Sequence, residues 1–189
     1  MSIPSLHRLR QRDDPTPDSF TWECLERSSG TYAEVSEAEG TAADRAASLA
    51  AWSPGAAESF RELANDLGFQ LDYSAQSLSE VERMITEEFS DRSGVPKEKF
   101  HDLVGATGAY VAEVILRNVG GEWGFEPEFE AGGIQLPSGT WVFPLHKSRK
   151  RFEEGPGDDF VSYYTVLERG RGDCAGRYGL IRDGFPALR

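Results

Sequence analysis

The sequence predicts an α+β domain in which helices pack on a small antiparallel sheet, a meander of about three strands, with a long central helix near residues 98–118. Three observations predict it. Over residues 99–119 apolar side chains recur at helical period: Phe100, Leu103, Val104, Thr107, Val111, Val114 and Ile115 share one stripe. After Gly120-Gly121 the period changes to two, over Trp123–Phe125, Gly133–Leu136 and Thr140–Leu145. The order of segments, helix, strand, helix, long helix, meander, helix, then gives an α+β domain.

Taken in order, residues 1–19 are a polar, proline-broken leader, and residues 20–54 an N-terminal extension. Phe20–Leu25 and Thr31–Val35 alternate weakly and read as a hairpin across Arg27-Ser28-Ser29-Gly30. Thr41 is placed to cap an alanine-rich helix running to about Trp52. Ser53-Pro54 then reads as a fresh start, Ser capping and Pro at the first helical position, with the domain proper spanning residues 55–169. That second helix carries Phe60, Leu63, Ala64 and Leu67 and ends at Gly68.

Phe69–Tyr73 alternates and reads as a short strand, and Ser77…Glu80 as a capping box opening a helix that buries Leu78, Val81, Met84, Ile85 and Phe89. In the central helix Gly105, Gly108, Ala109 and Ala112 form a second stripe almost without side chains. Interior glycine costs about 1 kcal/mol against alanine, so a very close neighbour is expected there. The break Leu136-Pro137-Ser138-Gly139-Thr140 is a hairpin signal. Trp123, Phe125, Trp141 and Phe143 fall on alternating strand positions, which predicts that they stack on the central helix. His146–Glu154 reads as a short helix closed by Gly155-Pro156-Gly157, followed by a last helix led by Asp158-Asp159 and burying Phe160, Val161, Tyr164 and Leu167. Residues 170–189, rich in Gly and Arg, read as a tail.

The runs Leu71-Asp72-Tyr73-Ser74, Gly108-Ala109-Tyr110-Val111-Ala112-Glu113-Val114-Ile115, Gly120-Gly121-Glu122-Trp123, Phe143-Pro144-Leu145 and Lys150–Pro156 resemble a group of small, uncharacterised bacterial proteins that share a GAY-x-GEV-I…GG-x-W…FP…KR-x-x-x-GP pattern. The resemblance covers about residues 57–168. Ala112 stands where the pattern has a glycine. It implies an α+β fold and no activity.

The formal net charge is −12 over 189 residues, which argues against general nucleic-acid binding, because neutralising phosphates needs an excess of Lys and Arg. No run approaches the ~20 apolar residues of a membrane span. Met1–Arg8 lacks the apolar core of a signal peptide, so a cytosolic chain is expected. Cys24 and Cys174 are then expected as free thiols. No ligand spacing links His7, His101 and His146, so no metal or cofactor is expected.

Two groups are candidate binding sites. Glu113 and Arg117 lie four apart, in the favoured order for a helical ion pair. They are either a structural pair or a functional site in which Glu113 is a general base or a ligand contact; Trp123 follows just beyond the helix end. His146, Lys147, Arg149, Lys150 and Arg151 form the one basic cluster on an acidic chain. It is either a solvated helix face pairing with Glu153, Glu154 and the last helix, or an anion site. The expected function is a non-catalytic binding protein, an accessory or immunity-type partner of a basic protein. The alternative is a small hydrolase or transferase whose anionic substrate is held by the cluster.

Overall fold

In the computed structural model, residue 25, residues 40–90 and residues 97–170 are described. Their order is α1 (Ala42–Asp66), α2 (Ser77–Glu88), α3 (Lys97–Asn118), β1 (Glu122–Glu126), β2 (Ala131–Gln135), β3 (Trp141–Val142), α4 (Pro144–Glu154), a 3-10 turn (Pro156–Asp158) and α5 (Phe160–Gly170). This is the α+β class. The leader, the tail, Cys24 and Cys174 lie outside the described residues. So does the expected hairpin over 20–35, apart from Leu25, which is helical and buried.

Helix α1 opens with Thr41 as N-cap. Its Oγ1 accepts from the Asp44 N–H at 3.2 Å, and the Asp44 carboxylate accepts from the Thr41 N–H at 2.9 Å. The helix then runs unbroken through Pro54, so the expected restart at Ser53-Pro54 and the boundary between residues 54 and 55 both fall inside one element. Leu49, Trp52, Ala56, Phe60 and Leu63 make one continuous buried stripe across the proline. Packing along that stripe outweighs the backbone hydrogen bond that proline cannot make.

Residues 69–73 form no strand. Phe69 and Leu71 are buried and Gln70 and Asp72 exposed, as alternation predicts, but no neighbouring strand pairs with them. The Phe69 N–H donates to the Ala64 carbonyl of α1, and side chains of α3 bind the Tyr73 backbone. The capping box at Ser77 is absent as well: the helix begins at Ser77 itself, and the Ser77 hydroxyl donates to the Ser74 carbonyl at 2.7 Å.

Helix α3 is buried at every position from Leu103 to Ile115. Its small-residue side receives α4. A Cβ on Gly108 would lie 2.9 Å from the Leu145 Cα and 3.2 Å from the Pro144 carbonyl oxygen. The chain leaves α3 through Gly120 and Gly121 at φ +89° and +124°, a conformation that only glycine adopts without strain.

The three strands form an antiparallel sheet in the order β1-β2-β3. Trp123 pairs with Ile134 and Ile134 with Val142, so these three share one face, turned to the core. Gly132, on that face, leaves no room for a Cβ against Leu49 of α1. The third strand is shorter than expected, because Phe143 and Pro144 already start α4. Among the described residues no helix is long and apolar enough to cross a membrane.

Candidate functional site

The first turns of α4 carry the basic cluster. Consecutive helical residues point about 100° apart, so six of them cannot share one face. Leu145, Ser148, Arg151 and Phe152 point inward. The Ser148 hydroxyl donates to the Val104 carbonyl at 2.7 Å. Arg151 is 5% exposed; its Nε donates to the Glu82 carboxylate at 2.7 Å and its guanidinium also reaches Thr86. The second Glu82 oxygen accepts from the Phe160 N–H, at 2.8 Å. One carboxylate thus ties together α2, α4 and the start of α5. The sequence expectation paired Arg151 with Glu153, Glu154 or the last helix; its partner is Glu82. The apolar pair Leu145 and Phe152, seven apart on one helix face, is the signal that places neighbouring Arg151 near the inward side.

The remaining cations divide. Lys147 Nζ lies 2.6 Å from Asp158 and over the Tyr163 ring, and it holds the Asp158 carboxyl below the usual carboxylate range. Arg149 pairs with Glu153 on the exposed side at 2.9 Å. Lys150 is half-buried. His146 stacks on Phe143 with ring centroids 6.0 Å apart.

Burial holds His146 below its ordinary pKa of 6.5, and Arg149 and Lys150 push it the same way. As pH falls through 6.5 the unfolded chain takes up a proton that the folded chain resists. The stability contributed by neutral His146 is therefore complete above 6.5 and declines from there toward its lowered folded value. Melting temperatures on either side of that pH should fall in wild type and fall less in His146→Gln. Equal declines would assign the effect to other groups.

Glu113 and Arg117 do pair, at 3.3 Å, with Glu113 8% exposed. They belong to a clamp on the loop between α1 and α2. The Arg117 guanidinium lies 3.6 Å from the Tyr73 ring centroid, and the other side of the loop is held by Tyr110, stacked on Tyr73 at 4.9 Å. The Tyr73 N–H donates to the Tyr110 hydroxyl at 2.9 Å, and the Tyr73 carbonyl accepts from Asn118 at 2.8 Å. Its hydroxyl donates to Glu58 at 3.0 Å. Burial and that carboxylate push the phenol pKa up. Tyr73 sits at φ +63°, strained for a side chain of its size. Bonds to both its backbone N–H and its carbonyl, together with stacking, keep it there.

The aromatic set splits across the sheet. Trp123 and Phe125 face α1, with Arg45 lying 4.8 Å over the Phe125 ring. Trp141 pairs with Gln135, and Gln135 with Glu122, which puts Trp141 and Phe143 on the opposite, outer face. The expectation that all four stack on the central helix fails: Trp123 and Phe125 lie against α1, and the register between strands turns Trp141 and Phe143 to the other face. On the outer face the Trp141 ring packs on Gly124 and the Phe143 ring on Gly133, where a Cβ would collide. Phe129 meets Phe143 edge-on at 5.7 Å. Glu122 and Glu126 lie on this face, Glu128 and Glu130 follow in the turn after β1, and no Lys or Arg occurs between Arg117 and Lys147.

Among the described residues no three His, Cys, Asp or Glu side chains gather as a metal site requires. No family model, curated protein or solved structure matches the chain.

Proposed function

We propose that this chain is a non-catalytic binding protein of the cytosol whose partner is a basic protein. An accessory or immunity-type protein that masks a basic partner is one relation of this kind. The observation that carries the reading is where the charges go. Lys147, Arg149 and Arg151 are each engaged by a carboxylate of this chain. The meander, by contrast, has four glutamates and no cation of its own. The alternative, an enzyme holding an anionic substrate on the 146–151 cluster, needs those cations turned outward, and Arg151 is buried.

An acidic surface speeds encounter with a basic partner and makes binding sensitive to salt. The test is capture from a lysate of the chain's own source at low and at moderate ionic strength, with the captured proteins identified. A retained set enriched in basic proteins, and released as the Debye length shrinks to about 10 Å at 0.1 M salt, is the expected result. A retained set without charge bias that survives added salt would overturn the reading.

A further inference from the structure

Along β1 the residues facing outward are Glu122, Gly124 and Glu126. Because Gly124 has no side chain, the six-membered ring of Trp141 reaches across from β3 and packs on it. Alternate residues of a strand are roughly 6.6 Å apart, so the indole ring has one carboxylate-bearing residue on each side at that spacing. Trp141 and Glu126 are partly exposed and Glu122 is exposed. Glu128 and Glu130 extend the acidic border through the following turn, and the Glu128 N–H donates to the Glu126 carboxylate at 3.3 Å. An aromatic surface between two carboxylates suits one chemistry above others. It favours a planar cation that stacks on the ring and pairs with an acid on either side.

The molecule makes this contact elsewhere. Arg117 stacks on Tyr73 beside Glu113, and Arg45 lies over Phe125 on the other side of the same sheet. On the outer face the ring and the acids come from this chain, but the stretch between Arg117 and Lys147 supplies no cation to match them. A second copy does not fit: apposing two such faces would bring together two sets of four glutamates.

We propose that the outer face of the sheet, with Trp141 lying on Gly124 between Glu122 and Glu126, docks an arginine-rich segment of the basic partner. This rests on the binding-protein reading above and gives it a place. The segment is extended in this account, since the platform is only as long as a five-residue strand. Its guanidinium groups stack on Trp141 and pair with the flanking glutamates.

The probe is an oligo-arginine peptide, titrated calorimetrically into the full chain, with an oligo-glutamate peptide as control. Two variants locate the site. Trp141→Leu keeps an apolar side chain at this place on β3 and removes the π face over Gly124; a loss of about threefold in affinity is expected. The double variant Glu122→Gln, Glu126→Gln keeps the acceptor for the Glu128 N–H and removes two charges. It should weaken binding by about tenfold and flatten its salt dependence. Melting temperatures report whether either variant disturbs the fold. Should Trp141→Leu melt early, the glutamate pair on the rim still decides. Wild type that fails to bind the peptide, while the lysate still yields basic partners, would overturn the arginine-rich assignment alone. Binding that both variants leave unchanged would move the site elsewhere and leave the functional reading standing. Absence of basic partners in the lysate and of peptide binding together would remove both. A concentration-dependent dimer that the glutamate variant strengthens would make the occupant a second copy and overturn the proposal.

Discussion

Replacing Arg151 with Met is expected to destabilise the fold by about 3–5 kcal/mol, the range seen when one member of a buried ion pair is removed. The Arg151 side chain is 6% exposed and that of Glu82 is 16% exposed, so water cannot take over the missing partner's role. Met fills much the same volume, which separates the charge effect from a cavity. The Glu82 carboxylate keeps its bond from the Phe160 N–H but loses its cation. Urea denaturation followed by circular dichroism gives the number. A second variant sharpens the argument: Glu82→Gln added to Arg151→Met removes the stranded charge while leaving an acceptor for Phe160. It should recover most of the loss, since a buried pair exchanged for neutral groups is often close to neutral overall. A single-variant loss below about 1 kcal/mol, the scale of an exposed pair, would mean that solvent screens this contact and that Arg151 is available at the surface.

That contact also shows where sequence reasoning stopped. Glu113 and Arg117 were legible because their partnership is local, one helical turn apart. Arg151 and Glu82 are 69 residues apart, and no periodicity links them. The same division runs through the fold. Thr41 and Asp44 announce their cap within four residues, and Gly120-Gly121 announce the end of α3. Ser53-Pro54 is an equally clear local signal, yet tertiary burial of Leu49, Trp52 and Phe60 along one stripe overrides it. Residues 69–73 alternate correctly but find no strand to pair with; the Phe69 N–H returns to Ala64 of α1, and α3 binds the Tyr73 backbone through Tyr110 and Asn118.

The outer face of the sheet was hidden for a related reason. Period two says that Trp141 and Phe143 share a face, and that Trp123 and Phe125 share one. It does not say whether those are the same face. A shift of one residue in pairing moves a whole strand's side chains to the other side. The register Gln135 to Trp141 and Gln135 to Glu122 settles it, and with it the meeting of Trp141 with the acidic border. The glutamates themselves were visible all along as net charge, without a location.

Gly108→Leu is expected to prevent stable folding, and Gly108→Ala to destabilise by about 1–3 kcal/mol, the cost of overpacking a filled contact. Two effects oppose each other for alanine. Helix propensity favours it over glycine by about 1 kcal/mol. Against that, its Cβ would sit 2.9 Å from the Leu145 Cα and 3.2 Å from the Pro144 carbonyl oxygen, both backbone atoms at the start of α4. Backbone cannot step aside as the end of a flexible side chain can, so α4 has to move as a body. That motion would disturb the Ser148 bond to Val104 and the Arg151 bond to Glu82. Steric cost therefore exceeds the propensity gain. Gly55, inside α1, provides the control. It is exposed, and a Cβ there meets nothing within 4 Å. Gly55→Ala should raise stability by about 0.5–1 kcal/mol, the propensity effect alone. The same substitution at two helical glycines is thus expected to act with opposite sign. Chemical denaturation of the two alanine variants beside wild type checks it. If Gly108→Ala were as stabilising as Gly55→Ala, the close approach of α4 to the central helix would be wrong.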